Sequence, residues 1–95
     1  MICHIVCMKF REPTPELLAG IRDDLCALVG VVPELLDMKA GADQLRGDRS
    51  FDFALVARFA DMEALERYRV HPAHRRVAER IAQVRERSVS VDFPL

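Results

Sequence analysis

Residues 2–10 are apolar on both sides of a two-residue alternation: Ile2, Val6, Met8 and Phe10 on one, Cys3, Ile5 and Cys7 on the other. Only His4 and Lys9 interrupt the pattern, so the segment predicts a strand that needs cover on both faces, ended by Arg11-Glu12-Pro13. Thr14-Pro15-Glu16 then carries a helix start signal: a hydroxyl to cap free amides, a proline at the first helical position and a carboxylate at the positive end of the dipole. Leu17, Leu18, Ile21, Leu25, Leu28 and Val29 recur at helical spacing, and Gly30 with Pro33 stops the run. Residues 35–40 set Leu36, Met38 and Ala40 against Asp37 and Lys39, as in a short half-buried strand, and residues 41–50 form a loop. Phe51, Phe53, Leu55, Ala57 and Phe59 alternate against Asp52 and Arg58 and make the clearest strand in the chain.

Asp61 is placed to cap a short helix carrying Met62, Leu65 and Tyr68 on one face. Pro72 breaks it and begins a second helical run, in which His74, Val77, Ile81 and Val84 form one stripe, so His74 is expected to point inward. Val89, Val91 and Phe93 alternate against Ser88, Ser90 and Asp92 in a last strand that Pro94 closes. The order βαββαβ, with two crossovers, predicts an α+β, ferredoxin-like sandwich in one domain spanning residues 1–95: a four-stranded antiparallel sheet with helices on one face. The other sheet face is left bare. Because the first strand is apolar on both faces, that side is expected to meet a second copy, giving a homodimeric α/β barrel.

Composition narrows the function classes. The 95 residues carry 14 Lys and Arg against 15 Asp and Glu, a net charge of −1, so no basic face advertises nucleic-acid binding. Arg75, Arg76, Arg80, Arg85 and Arg87 cluster, but Glu79 and Glu86 are interleaved, which reads as the solvated face of a helix. No apolar run approaches the roughly 20 residues of a membrane span, and the N-terminus lacks a positive region and a cleavage site, so a cytoplasmic protein is expected. Cys3, Cys7 and Cys26 form no Cys-x-x-Cys pair and read as reduced thiols; Cys3 and Cys7 on one strand would sit about 13 Å apart, too far for a shared metal or disulfide. Arg46-Gly47-Asp48 is explained by a glycine turn flanked by charges.

All three histidines and the single tyrosine fall in two places, at His4 and in the segment Tyr68-Arg69-Val70-His71-Pro72-Ala73-His74. Concentrating the groups that exchange protons near neutral pH points either to a small acid/base site or to polar side chains packed in the core. His71, immediately before Pro72, reads as a helix cap. His71 and His74 have no third ligand nearby, so neither a metal nor a cofactor is called for. Met8, Phe53 and Phe59 are candidates for the wall of a cavity that binds an apolar ligand.

His4-Ile5-Val6 running into Met8-Lys9-Phe10, the block 53–59 leading to Asp61-Met62-Glu63-Ala64-Leu65, the Tyr68 and His71-Pro72-Ala73-His74 segment, and the closing Val91-Asp92-Phe93 together resemble a stress-responsive A/B barrel domain, over essentially the whole chain. The resemblance implies a dimeric α/β barrel. Through a plant polyketide cyclase of that family, it also implies catalytic roles for His74 and Tyr68 and a pocket role for His4. The function it suggests is a cofactor-independent cyclase or lyase acting on a polyketide-like or small aromatic ligand, with His74 as general base. The alternative is a non-catalytic dimer that binds a ligand or serves as a structural element.

Overall fold

The computed structural model describes residues Met1–Leu95 and contains β1 (Ile2–Phe10), α1 (Pro15–Cys26), β2 (Asp37–Ala42), β3 (Phe53–Phe59), α2 (Met62–Val70), α3 (Pro72–Val84) and β4 (Arg85–Pro94). The four strands form one antiparallel sheet in the order β2-β3-β1-β4, with β1 in the middle. The ferredoxin-like α+β arrangement expected from the hydrophobic pattern is the one adopted.

Each helix begins where a side chain captures a free amide. Thr14 Oγ1 accepts from Leu17 N at 3.2 Å before α1, and Asp61 Oδ1 accepts from Ala64 N at 2.8 Å before α2. His71 closes α2 with its backbone N–H on Tyr68 O, and caps α3 with Nδ1 accepting from Ala73 N at 3.1 Å. Its extended backbone is the conformation a residue before proline prefers, so His71-Pro72 turns the chain sharply between two helices.

The sheet presents two different faces. Met8, Phe10, Phe53, Leu55, Ala57 and Phe59 are buried under the helices, against α1 residues Leu18, Ile21 and Leu25 and α2–α3 residues Leu65, Val77 and Ile81. The opposite face carries Ile5, Val56, Val89, Val91 and Phe93, and the last four of these are exposed. Pairing of His4 with Asp92, Val6 with Ser90 and Met8 with Ser88 fixes this assignment: the serines and the aspartate of β4 point under the helices, and its valines point away from them.

Several boundaries differ from the sequence expectation, each for a local reason. Helix α1 stops at Cys26, because Leu28 N and Val29 N bond three residues back in a tightened turn; Leu28 and Val32 are buried while Val29 is exposed, and Gly30 at φ 87° reverses the chain. Strand β2 runs two residues later than expected, because Gly41 and Ala42 pair with Ala54 and Phe53. Strand β3 begins at Phe53, leaving Phe51 outside the ladder with Lys9 Nζ 5.6 Å and the Arg87 guanidinium 5.0 Å from its ring centroid. Strand β4 starts directly after α3, so Arg85 and Arg87 belong to the sheet and only Arg75, Arg76 and Arg80 lie on the helix.

Asp52 departs furthest from the alternation, which places it on a solvated face; it is 4% exposed. Its Oδ2 accepts from Phe10 N at 2.8 Å and its Oδ1 from Arg46 Nη2 at 2.8 Å, tying the 43–50 loop to the end of β1. These two donors hold its carboxyl below the usual carboxylate range despite the opposing cost of burial. A depressed carboxyl pKa stabilises the fold above the unfolded-state value and loses that contribution as pH falls through the folded-state value. Asp52→Ala, which also orphans the Phe10 amide, is expected to cost about 1.5–3 kcal/mol in urea denaturation at pH 7. The deficit should shrink as the parent is titrated below about pH 4, and a deficit constant from pH 7 to pH 2 would show that the ion pair contributes nothing.

Candidate active site

A cavity of about 300 Å³ opens between α3 and the β1–β4 pair, with α2 at one end. Its floor is apolar, built by Val6, Met8, Leu55, Leu65, Val77 and Ile81, and its polar rim comes from β4 through Ser88, Ser90 and Asp92. His4, Tyr68 and His74 all border it, from β1, α2 and α3 respectively. The three proton-exchanging groups that lie far apart in sequence therefore face one space. Met8 is in the wall as expected, whereas Phe53 and Phe59 are not. Phe53 packs edge-on against Phe10 at 6.4 Å, and Phe59 is fully buried behind the site. Both belong to the core that supports the cavity: bulky side chains at the centre of a sheet are covered by the first helix layer before any ligand can reach them.

The rings form a continuous series. His4 meets Phe59 edge-on at 6.3 Å, Phe59 lies 4.9 Å from Tyr68, and Tyr68 lies 4.3 Å from His74. Phe59 thus joins the two sequence-distant parts of the site and restricts the rotamers of both. Tyr68 is 1% exposed, and burial pushes its hydroxyl pKa up to about 12. That hydroxyl hydrogen-bonds to no protein group, yet no buried side-chain oxygen is left sealed without a partner. It is protonated throughout the physiological range and free to donate into the cavity.

Each cavity imidazole has one nitrogen committed. His74 Nδ1 lies 3.1 Å from Arg69 O; a carbonyl only accepts, so Nδ1 carries the proton and Nε2 is a bare base. Desolvation lowers the His74 pKa, and the charges of His4, Arg69 and His71 act in the same direction against the opposing Arg69 carbonyl, so the neutral form prevails at pH 7. His4 Nδ1 pairs with Asp92 Oδ1 across the β1–β4 ladder. A carboxylate likewise only accepts, which assigns the His4 proton to Nδ1 and leaves its Nε2 for a ligand. The spacing of β4 signalled the alternation that carries Asp92, but only the strand register shows that its polar side lines the cavity. Arg69 and Arg85 complete the rim. No three His, Cys, Asp or Glu side chains converge as a metal site, and the three cysteines are free thiols. No helix is long and apolar enough to cross a membrane.

A two-layer α+β sandwich whose helix-side cavity is bordered by two imidazoles and a phenol defines the class. Residues 2–95 match the Stress responsive A/B Barrel Domain, and the chain belongs to that family. A dimeric ferredoxin-like protein of unknown function from Thermobifida fusca is similar, at 30% identity and TM-score 0.87, over 99% of this chain and 90% of the other. A dimeric protein of unknown function and ferredoxin-like fold from Bacteroides fragilis is 21% identical, with TM-score 0.88, over 99% and 95% of the two chains. Hydroxynitrile lyase from Passiflora edulis shares the fold at 18% identity and TM-score 0.85, over 99% and 92%. No curated protein sequence matches the chain.

The Asp92 contact yields a direct spectroscopic prediction. In the neutral ring of His4, the ¹⁵N resonances should show the proton on Nδ1; Asp92→Ala should shift the tautomer population toward the Nε2–H form that free histidine favours. An unchanged ring spectrum in the variant would remove Asp92 as the group that sets the tautomer.

Proposed function

We propose that the protein is a cofactor-independent acid/base catalyst, a cyclase or lyase for a polyketide-like or small aromatic compound, and works as a homodimer joined through its bare sheet face. The observation that carries the reading is the convergence of a neutral imidazole with a bare Nε2 and a partnerless phenol on one cavity. His74 Nε2 removes a proton from a carbon between two carbonyls. Tyr68 donates to the carbonyl oxygen on which the negative charge collects, and His4, held through Nδ1 by Asp92, orients the substrate from the sheet floor by accepting at Nε2 from an enol or phenol hydroxyl. The enolate carbon forms the new bond to a carbonyl carbon of the same molecule, and the His74 imidazolium returns its proton to the resulting alkoxide. The apolar floor of Met8, Val77 and Ile81 keeps water away and holds the chain folded, which supplies the proximity an intramolecular closure needs. The hydroxynitrile lyase of the same fold is a precedent for lyase chemistry on this scaffold.

Proton abstraction can be measured without the natural substrate, as loss of the central C–H signal of 2,4-pentanedione in D₂O. His74→Ala is expected to slow the protein-catalysed exchange by about 10²- to 10⁴-fold while the fold is kept. The parent rate should fall on acidification with a midpoint below the usual imidazole value of 6.5, because protonation removes the base, and should show no loss from neutrality to about pH 8, because Tyr68 keeps its proton. Exchange by the variant at the parent rate would leave the non-catalytic, ligand-binding dimer as the function.

The proposed interface is motivated by Val56, Val89, Val91 and Phe93, all exposed on the face opposite the helices, and by the dimeric state of the similar structures. Val91 is 61% exposed in the single chain. Val91→Asp should convert a dimer into a monomer in sedimentation at micromolar concentration; a variant that remains dimeric would place the contact elsewhere.

A further inference from the structure

The acid/base groups occupy one end of the cavity, and the other end carries a cation that the proposed proton chemistry does not use. Arg85 is the first residue of β4, partly buried, and its side chain lines the cavity beside Ser88. Every other charged group on the lining has a partner: Asp92 is held by His4, and Arg69 by Glu66 at 3.2 Å. Arg85 makes no ion pair and no side-chain hydrogen bond within the chain. A guanidinium facing an apolar-floored cleft that the Ser88 hydroxyl also lines is matched to a planar anion, which takes two parallel N–H···O bonds and further donation from serine.

The two ends are separated along the same elements. From His74 to Val84, the residue before Arg85, α3 advances about 15 Å at roughly 1.5 Å per residue, and the apolar stripe Val77, Ala78 and Ile81 lies between. With side chains reaching inward from both ends, the space to be bridged is on the order of 10 Å. At the far end Asp92 and Arg69 are each paired, so Arg85 is the one unpaired charge on the lining and favours one orientation: acid group at Arg85, neutral reacting part at His74 and Tyr68.

We infer that the cavity takes an elongated amphiphilic carboxylate, its acid group seated on Arg85 with Ser88 and its apolar stem laid along Val77 and Ile81 toward the histidine end. The inference rests on the cavity being a ligand site, as the proposed function requires, but not on His74 acting as a base. It restricts the substrate class to molecules that keep a free acid group remote from the reacting carbon. Arg69, paired at the surface, supplies only a weaker long-range attraction.

The test uses 6-phenylhexanoate and its uncharged counterpart 6-phenylhexanamide, titrated into the full chain and followed by ¹H–¹⁵N NMR at pH 7.5. The carboxylate should bind about tenfold more tightly than the amide and move both the Ser88 amide and the His74 ring resonances. Arg85→Gln should bring the two affinities within about twofold of each other, and Arg85→Lys should restore part of the preference, which separates loss of charge from loss of fold. Equal affinities in the parent, or a preference that survives Arg85→Gln, would overturn the anionic end while leaving the ligand cavity intact. Absence of binding by both probes would overturn the inference and the ligand-site reading together.

Discussion

The pairing of β4 against β1 is the constraint on which the rest of the molecule depends. With His4 opposite Asp92 and Met8 opposite Ser88, the polar side of β4 rims the cavity and its valine side joins Val56 and Ile5 on the outer face. A slip of one residue reverses both assignments, since side chains alternate strictly across a strand. Val89, Val91 and Phe93 would then fill the cavity, His4 would lose its carboxylate, and serines would cover the outer face. One register thus sets the tautomer of a histidine, the polarity of a ligand site and the apolar face available for assembly.

The second half of the site is built by a joint rather than by a strand. His71-Pro72 ends one helix and starts the next with no intervening loop, so the Arg69 carbonyl at the end of α2 is available to the His74 ring in the first turn of α3. The same joint packs Tyr68 against His74 with ring centroids 4.3 Å apart, and Phe59 behind them links this unit to His4. Burial acts on the two groups in opposite chemical senses. It disfavours the imidazolium of His74 and the phenolate of Tyr68, and so keeps a base and a proton donor side by side at neutral pH.

Much of this was legible in the sequence, and the parts that were not share a cause. Element order followed from changes of hydrophobic period, and the starts of the helices from Thr14, Asp61 and Pro72, because these signals act within a few residues. The inward set of His74 followed from its stripe. What was hidden depends on partners far along the chain: that Asp52 is buried beneath Arg46, that Phe59 and Phe53 support the cavity without touching a ligand, and that Arg85 leaves the helical arginine cluster to enter the site. For β4 the alternation was plain, but both Val-in and Ser-in satisfy it, and only pairing with β1 decides between them.

The central claim is that residues from β1, α2 and α3 share one ligand-reachable space. Titrating a small neutral phenol, 4-cyanophenol, into the protein while following the ring resonances of His4, Tyr68 and His74 tests it most directly. All three should shift along one binding curve with a common dissociation constant. Shifts confined to a single ring, or three unrelated curves, would mean that the groups border separate sites, and the account of a joint acid/base cavity would be wrong.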